Sequence, residues 1–130
     1  MNYLYVFFGC GLGGIARHAL TKLANERILT AVPAGTLAVN LIGCLLIGFA
    51  VSLVNDTLVP TSLRLLAITG FLGGFTTFST YALETAVLFQ NHAWKAGMVS
   101  LFAHNGLGLA AVSAGMFLYA LAKGTPPAPR

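Results

Sequence analysis

The stretch Thr69-Gly70-Phe71-Leu72-Gly73-Gly74-Phe75-Thr76-Thr77-Phe78-Ser79-Thr80-Tyr81 decides how the rest of the chain is organised. It combines three glycines with a run of hydroxyl side chains, and apolar sequence surrounds it on both sides. Glycine is a poor former of helix interiors, and threonine and serine side chains compete for backbone hydrogen bonds. At membrane depth, irregular backbone persists only where protein buries it or water reaches it. We therefore expect a broken transmembrane helix that lines a polar site.

The composition of the whole chain is that of an integral membrane protein. Of its 130 residues, 57% are hydrophobic and only 8% are charged, whereas soluble domains carry about 25% charged residues. Four apolar segments, at residues 3–20, 36–54, 65–89 and 96–122, come near the ~20 residues that a spanning helix needs. We expect an all-α protein with one four-helix transmembrane domain over residues 1–122 and a disordered, proline-rich tail over residues 123–130.

The charges and cysteines exclude several other classes of protein. The net charge is +4, but the basic residues are scattered at predicted helix ends, where lipid head groups and topology explain them better than nucleic acid does. Cys10 and Cys44 lie inside predicted spans without the spacing of metal ligands, which indicates structural thiols. The sequence shows neither a nucleophile–base constellation nor a phosphate-binding loop, so we do not expect an enzyme.

The distribution of positive charge bears on topology. Three basic residues lie near one end of an up-and-down bundle and four near the other, so the positive-inside rule favours neither orientation. A chain that inserts both ways can form antiparallel dimers. Because four short helices enclose little space, we expect an oligomer, most simply a twofold dimer.

Three polar residues inside the predicted spans each allow two interpretations. Arg17 is either an anchor that reaches the lipid head groups or a cation at the mouth of an anion path. Asn40 either pairs two helices or donates hydrogen bonds into a pore, since an unpaired amide is costly in hydrocarbon. His104 is either a satisfied packing residue or part of a functional face with Ser100, which lies four residues earlier.

The third predicted helix carries a denser set of polar side chains. If helical geometry resumes after the break, Thr77, Thr80, Tyr81 and Glu84 fall on one side of it. Phe78 and Tyr81 are three residues apart, so their rings are neighbours. Such aromatic pairs are usually packing, but the hydroxyl groups that flank this one favour a functional face.

Three motifs in order give the sequence a family resemblance. They are Gly13-Gly14 followed by Arg17, then Gly35-Thr36-Leu37 with Asn40, Leu41 and Gly43, then Gly70-Phe71, Gly73-Gly74 and Thr76-Thr77-Phe78-Ser79-Thr80 followed by Glu84. With these motifs the chain resembles the small bacterial fluoride channels of the Fluc/CrcB family over nearly its whole length. The resemblance implies passive, fluoride-selective export across the bacterial cytoplasmic (inner) membrane, which lowers cytoplasmic fluoride toxicity.

The resemblance also implies an assembly. Two copies would form an antiparallel, dual-topology homodimer in membrane lipid, with two fluoride pores. A structural sodium ion would lie at its centre, held by the backbone carbonyls of Gly73 and Thr76 in both copies. Carbonyls left unpaired where two half-helices meet suit such a cation.

The resemblance assigns a role to each polar candidate. Arg17 would lie near the vestibule. The fluoride pore would be lined by Asn40, Phe78, Ser79, Thr80, Tyr81, Glu84, Ser100 and His104. Neutral donors suit conduction, because a full charge at the narrow point would trap the ion. Ring edges carry positive charge density that faces an anion weakly. Tyr81 stands where the family often has phenylalanine, and we expect its ring to matter more than its hydroxyl group.

Two other classes of function fit the sequence less well than a fluoride channel does. Proton-coupled small multidrug transporters are also short, four-helix and antiparallel, but they centre on a carboxylate in the first helix, and the first predicted span here, residues 3–20, has none. Glu84 lies in the third. A non-transporting assembly protein is the remaining alternative, and it leaves the glycine–threonine–phenylalanine stretch unexplained.

Overall fold

The computed structural model describes residues 2–28 and 30–124, and all regular structure in that part of the chain is helical. The helical runs are α1 (Asn2–Arg27), α2 (Ala34–Asp56), α3 (residues 61–75), α4 (Phe78–Gln90) and α5 (residues 94–122). Wide π-helical turns occupy Leu65–Leu72 within α3 and Ala103–Leu107 within α5. Most of the tail predicted to be disordered, residues 125–130, lies outside the described residues.

In the part of the chain that the structure describes, three helical segments are long and apolar enough to cross a membrane. They are Ala34–Asp56, Thr61–Gln90 and Trp94–Lys123, the second of which contains both α3 and α4. Four spans were predicted, and the fourth would be α1. α1 is 26 residues long, but it is not among the three segments found in the described residues, because its mean hydropathy is lower than theirs. Its several glycines and the Arg17-His18 pair dilute its apolar content.

The first helix continues beyond its predicted end at residue 20. It runs to Arg27, so the helix extends past the end of the apolar segment over residues 3–20. Residues 21–27 include lysine, leucine, alanine, glutamate and arginine, which are good helix formers even though they are too polar for lipid. Lys22 and Glu26 also lie one turn apart, with Nζ and Oε1 separated by 4.0 Å. Hydropathy located the apolar segment, but not the end of the helix.

Backbone contacts between glycines hold α1 against α3. A Cβ atom added to Gly9 would lie 2.8 Å from Cα of Gly70, and one added to Gly13 would collide with the carbonyl oxygen of Phe71. The backbone of α3 therefore lies directly against this pair of glycines. Such contacts are typical of helix packing in membranes, where small residues let backbones meet.

The second close contact joins α2 to α5. A Cβ atom on Gly48 would collide with the carbonyl oxygen of Val112, and one on Gly115 with that of Leu45. With α1 also packed on α2, the order of contacts is α3, α1, α2 and α5, and α4 packs against the first turns of α5. This arrangement brings the junction of α3 and α4 against the middle of α2.

Candidate functional site

Helical geometry is interrupted between α3 and α4. Thr76 (φ −81°, ψ 156°) and Thr77 (φ −148°, ψ 109°) have extended backbone. The hydroxyl oxygen of Thr77 accepts the backbone N–H of Thr80 at 3.3 Å, and the same hydroxyl donates to Thr80 Oγ1 at 2.9 Å. Thr77 is therefore the N-cap of α4, a position that threonine favours because its side chain satisfies an amide at the helix start.

Asn40 of α2 pairs with the extended peptide of Thr77. The backbone N–H of Thr77 donates to Asn40 Oδ1 at 2.8 Å, and Asn40 Nδ2 donates to the carbonyl oxygen of Thr77 at 3.0 Å. One amide thus satisfies both polar groups of a residue that has left the helix. A primary amide has two N–H groups, so one N–H of Asn40 remains available.

The close approach of α2 to the interruption depends on Gly43, one turn after Asn40. A Cβ atom at Gly43 would collide with Cγ2 of Thr76. The absence of a side chain there lets α2 lie against the extended residues, so that the amide of Asn40 reaches them. The glycine and the asparagine of the second motif therefore act at the same contact.

Tyr81, one turn into α4, joins two aromatic neighbours. Its ring lies 5.5 Å from the ring of Phe78 in an edge-to-face arrangement at 73° and 4.2 Å from the ring of His104 in a stack at 25°. Tyr81 is buried, with 8% of its surface exposed, whereas Phe78 is 76% exposed. Asn105 Nδ2 donates to the hydroxyl oxygen of Tyr81 at 2.9 Å.

The imidazole of His104 is fixed on one side only. Its Nδ1 lies 3.0 Å from the carbonyl oxygen of Ser100, and since a carbonyl only accepts, Nδ1 carries the proton. Its Nε2 is buried and has no hydrogen-bond partner among the residues that the structure describes.

These residues surround one cavity of about 420 Å³. α2, α3, α4 and α5 all contribute to its wall. The lining residues are Asn40, Gly43, Cys44, Ile47, Ile68, Thr69, Leu72, Gly73, Thr76, Thr77, Phe78, Tyr81, His104 and Asn105. None of them carries a carboxylate, ammonium or guanidinium group, so the polar lining consists of amides, hydroxyl groups, backbone, an imidazole and a thiol.

The carboxylate of Glu84 lies outside this lining and contacts α2 instead. Thr36, which is 1% exposed, donates its hydroxyl group to Glu84 Oε1 at 2.9 Å. Glu84 Oε2 is buried without a hydrogen-bond partner in the described part of the chain. A carboxylate that is only half paired is costly to bury, so this oxygen is a group that function has to explain.

Comparison with known proteins places the chain in a family. A family profile described as CrcB-like protein, Camphor Resistance (CrcB), matches residues 4–116. The chain belongs to the CrcB family.

Among curated CrcB relatives, a protein of Granulibacter bethesdensis is 43% identical over 93% of this chain and 92% of its own length. A relative of Maridesulfovibrio salexigens is 36% identical over 90% of this chain and 94% of its own length. A relative of Hydrogenobaculum sp. is 38% identical over 91% of this chain and 97% of its own length. Each of these is named a fluoride-specific ion channel, FluC. With its apolar helices, this CrcB chain is a multi-pass membrane protein.

The structure brings only some of the residues predicted for the site together. Asn40, Phe78, Tyr81 and His104 line the cavity, as do Gly73 and Thr76, the two residues predicted to offer carbonyls. Ser79 and Thr80 are exposed on the single chain, with Ser79 Oγ 3.5 Å from Thr77 Oγ1. Arg17 lies on α1 and is not among the lining residues.

Ser100 has a different setting from the one expected of a pore residue. It is 1% exposed, and its hydroxyl group shares a hydrogen bond of 2.7 Å with Thr85 Oγ1. This buried pair joins α4 to α5. Ser100 also accepts His104 Nδ1 through its carbonyl oxygen, so in this CrcB chain it supports a lining residue rather than lining the cavity itself.

Sequence reasoning missed two residues of this arrangement. Asn105 has no role among the predictions from sequence, and Thr36 enters them only as a motif residue. The available signal for Asn105 was a second polar side chain directly after His104 in apolar sequence. Nothing in the sequence indicated that its partner would be Tyr81, because that contact depends on how α4 packs against α5.

Proposed function

We propose that this chain is a fluoride-selective channel that exports fluoride passively across the bacterial cytoplasmic membrane and so lowers fluoride toxicity. The observation that carries the proposal is the similarity to relatives named fluoride-specific ion channels, at 36–43% identity over about nine-tenths of the chain. The cavity adds physical support, because its lining offers neutral donors and no fixed full charge. Fluoride is strongly hydrated, so a pore has to replace its water without trapping it.

Asn40 has the geometry for two roles at once. One of its N–H groups holds the carbonyl of Thr77, and the other is free to donate to an anion in the cavity. Helix geometry also leaves the first N–H groups of α4, those of Phe78 and Ser79, without acceptors inside the helix. The positive end of the helix dipole lies at the same place. These donors favour an anion next to Thr77 without adding a charged side chain.

Phe78 suits a pore that is shared with a second copy of the chain. Phe78 lines the cavity and is 76% exposed on the single chain, so its ring is accessible to a second copy. Ring edges carry positive charge density that faces an anion weakly, and the rings of Phe78 and Tyr81 both lie at the wall of the cavity. Ser79 and Thr80, also exposed, then extend the polar path, and Glu84 lies one turn further on.

We further propose an antiparallel, dual-topology homodimer with two pores and α1 as the fourth spanning helix. α1 has 26 residues, which corresponds to about 39 Å of helix, and it packs along α3 through glycines. The near-equal basic charge at the two ends supports mixed insertion. Labelling of a cysteine placed in the tail, in a chain lacking Cys10 and Cys44, should occur from both sides of the membrane. Labelling from one side alone would contradict this assembly.

The residues at the interruption fit a structural sodium ion. In a continuous helix the carbonyl of Gly73 would accept the N–H of Thr77, but that N–H donates to Asn40 instead. The extended backbone of Thr76 likewise removes its carbonyl from the helical pattern. Gly73 is exposed, and a Cβ atom there would meet open space. Bound to these carbonyls in both copies, sodium would supply the charge that joins the dimer. Exchanging sodium for N-methylglucamine should weaken the dimer in detergent.

Arg17 and His104 complete the proposed path as vestibule and pore residues, with Ser100 as the buried support of His104. The deciding experiment is ion efflux from liposomes that contain the purified protein. We expect rapid fluoride efflux, measured with a fluoride electrode after a potassium ionophore is added, and far slower chloride efflux under the same conditions. Protein-free liposomes are the control. Equal rates for the two anions, or no fluoride efflux, would contradict the proposal.

A further inference from the structure

We propose that the hydroxyl group of Tyr81 donates a hydrogen bond to the anion in the cavity, and that Asn105 is the residue that positions it. The inference rests on the proposed function and adds to it a second side-chain donor and the reason why it is oriented. It also departs from the expectation from sequence that the ring of Tyr81 matters more than its hydroxyl group.

The orientation of the Asn105 amide follows from its two contacts. One atom, Nδ2, lies 2.9 Å from the hydroxyl oxygen of Tyr81 and 2.8 Å from the carbonyl oxygen of Leu101. A carbonyl oxygen only accepts, so the atom facing Leu101 has to be the NH₂ group, and the amide cannot be turned around. Its two N–H groups account for the two contacts.

The direction of the hydrogen bond to Tyr81 is thereby settled. The hydroxyl oxygen accepts from Asn105, and the proton of the hydroxyl group is left for another acceptor. Within residues 2–28 and 30–124 the structure shows no second partner for this hydroxyl group. An O–H donor that is held at its oxygen and left open at its proton is a costly arrangement unless something accepts from it.

The surroundings of Tyr81 indicate what that acceptor is. Tyr81 and Asn105 both line the cavity that contains Asn40. Contacts with the rings of His104 at 4.2 Å and Phe78 at 5.5 Å hold the tyrosine ring in place, so the hydroxyl group can turn only about its own C–O bond. With one lone pair engaged by Asn105, the proton takes a fixed direction. An anion accepts such a hydrogen bond more strongly than water does.

A donor of this kind distinguishes between anions. Fluoride is smaller and more strongly hydrated than chloride, so it has more to lose when water is removed and more to gain from each well-placed donor. Removal of the hydroxyl group should therefore slow fluoride more than chloride. Loss of the Asn105 amide should act in the same direction, because the hydroxyl group would then be free to turn.

The test compares the parent protein with Tyr81→Phe, Asn105→Leu and the double variant in liposomes at equal protein content. Tyr3→Phe, on an exposed part of α1, and Asn55→Leu, exposed near the end of α2, are the matched controls. We expect Tyr81→Phe to lower fluoride efflux about tenfold, as the loss of one hydrogen bond to a charged group would, with a smaller change for chloride. Asn105→Leu should give part of that loss.

The double variant separates positioning from mere structural support. If Asn105 acts through the hydroxyl group, Asn105→Leu should have no further effect once Tyr81 is phenylalanine. Additive losses would overturn the role given to Asn105. A parental fluoride rate and fluoride-to-chloride ratio in Tyr81→Phe would overturn the donor role while leaving the proposed function standing. A parent protein that passes no fluoride would overturn both. Because Tyr81→Phe removes a single oxygen atom, size-exclusion chromatography should show the parental assembly, and this variant alone decides the claim about the hydroxyl group.

Discussion

Two helix contacts within the chain differ in the groups that form them. Where α1 meets α3, glycine backbones touch, and a Cβ atom at Gly9 or Gly13 has no room. Where α2 meets the junction of α3 and α4, side-chain hydrogen bonds make the contact, above all those between Asn40 and Thr77. The first contact leaves no space, whereas the second borders a cavity of about 420 Å³.

The difference shows how a short membrane chain divides its tasks. Apolar helices gain little from one another in lipid, so close backbone packing through glycine supplies the association between helices. That packing fixes the position of α3 against α1. The backbone can then become extended at Thr76 while α3 keeps its position in the bundle. The polar contact leaves one donor unused, the second N–H group of Asn40, and that N–H group is available to an anion in the cavity.

The largest effect is expected from breaking the glycine contact. Gly13→Val would drive a branched side chain into the backbone of α3 at Phe71 and Phe75, and backbone cannot move aside as a flexible side chain can. Overpacking of this kind costs about 1–3 kcal/mol or more. We expect loss of monodisperse protein in size-exclusion chromatography. The neighbouring Gly14→Val, whose Cβ atom would meet nothing within 4 Å, is the control, and equal behaviour of the two variants would count against the packing role.

A smaller effect is expected from changing a ring at the polar contact. Phe78→Ile should leave the assembly intact and slow fluoride efflux roughly two- to tenfold, since aromatic edge interactions contribute about 0.5–1.5 kcal/mol. Phe7→Ile, on an exposed position of α1, should match the parent. If the Phe78→Ile variant shows the parental rate of fluoride efflux, ring edges do not contribute to conduction, and the hydroxyl and amide donors remain as the groups that contact the anion.

The smallest effect on transport is expected at the buried pair of Thr85 and Ser100. Thr85→Val keeps the shape of the side chain but leaves the Ser100 hydroxyl group without its partner, which costs about 1–3 kcal/mol of stability. We expect a lower thermal midpoint and parental efflux, with Thr57→Val at an exposed position as the control. A clear change in the rate of fluoride efflux would instead support the pore-lining role that the family resemblance implies for Ser100.

Much of the fold followed from the pattern of apolar residues and glycine. That pattern located the helical segments, because hydropathy is a local property of the sequence. The end of α1 at Arg27 was missed since lysine, glutamate and arginine extend a helix beyond the apolar segment. The π-helical turns at Leu65–Leu72 and Ala103–Leu107 left no separate mark in the sequence.

The site was harder to predict than the fold because its chemistry depends on pairings. From sequence, Asn40 was either a link between helices or a pore donor, and the structure shows an amide that links through one N–H and keeps the other. Ser100 was predicted to line a pore, and on the single chain its hydroxyl group is hydrogen-bonded to Thr85. Asn105 had no assigned role because its partner Tyr81 is 24 residues away in the chain. Hydropathy and spacing report on one helix at a time, whereas these contacts join two.

The central claim is that fluoride passes through the cavity beside the polar contact at Thr77, whereas the glycine contact between α1 and α3 stabilises the fold. Fluoride efflux from liposomes containing Asn40→Asp tests it most directly, with Asn55→Asp at an exposed position of the same helix as the control. The carboxylate keeps an acceptor for the Thr77 N–H, loses the donor, repels the anion and costs about 2.5–3.5 kcal/mol at mid-membrane. We expect fluoride efflux to fall at least about a hundredfold while size-exclusion chromatography shows the parental assembly. An Asn40→Asp variant that passes fluoride at the parental rate would contradict the account and place the pore elsewhere.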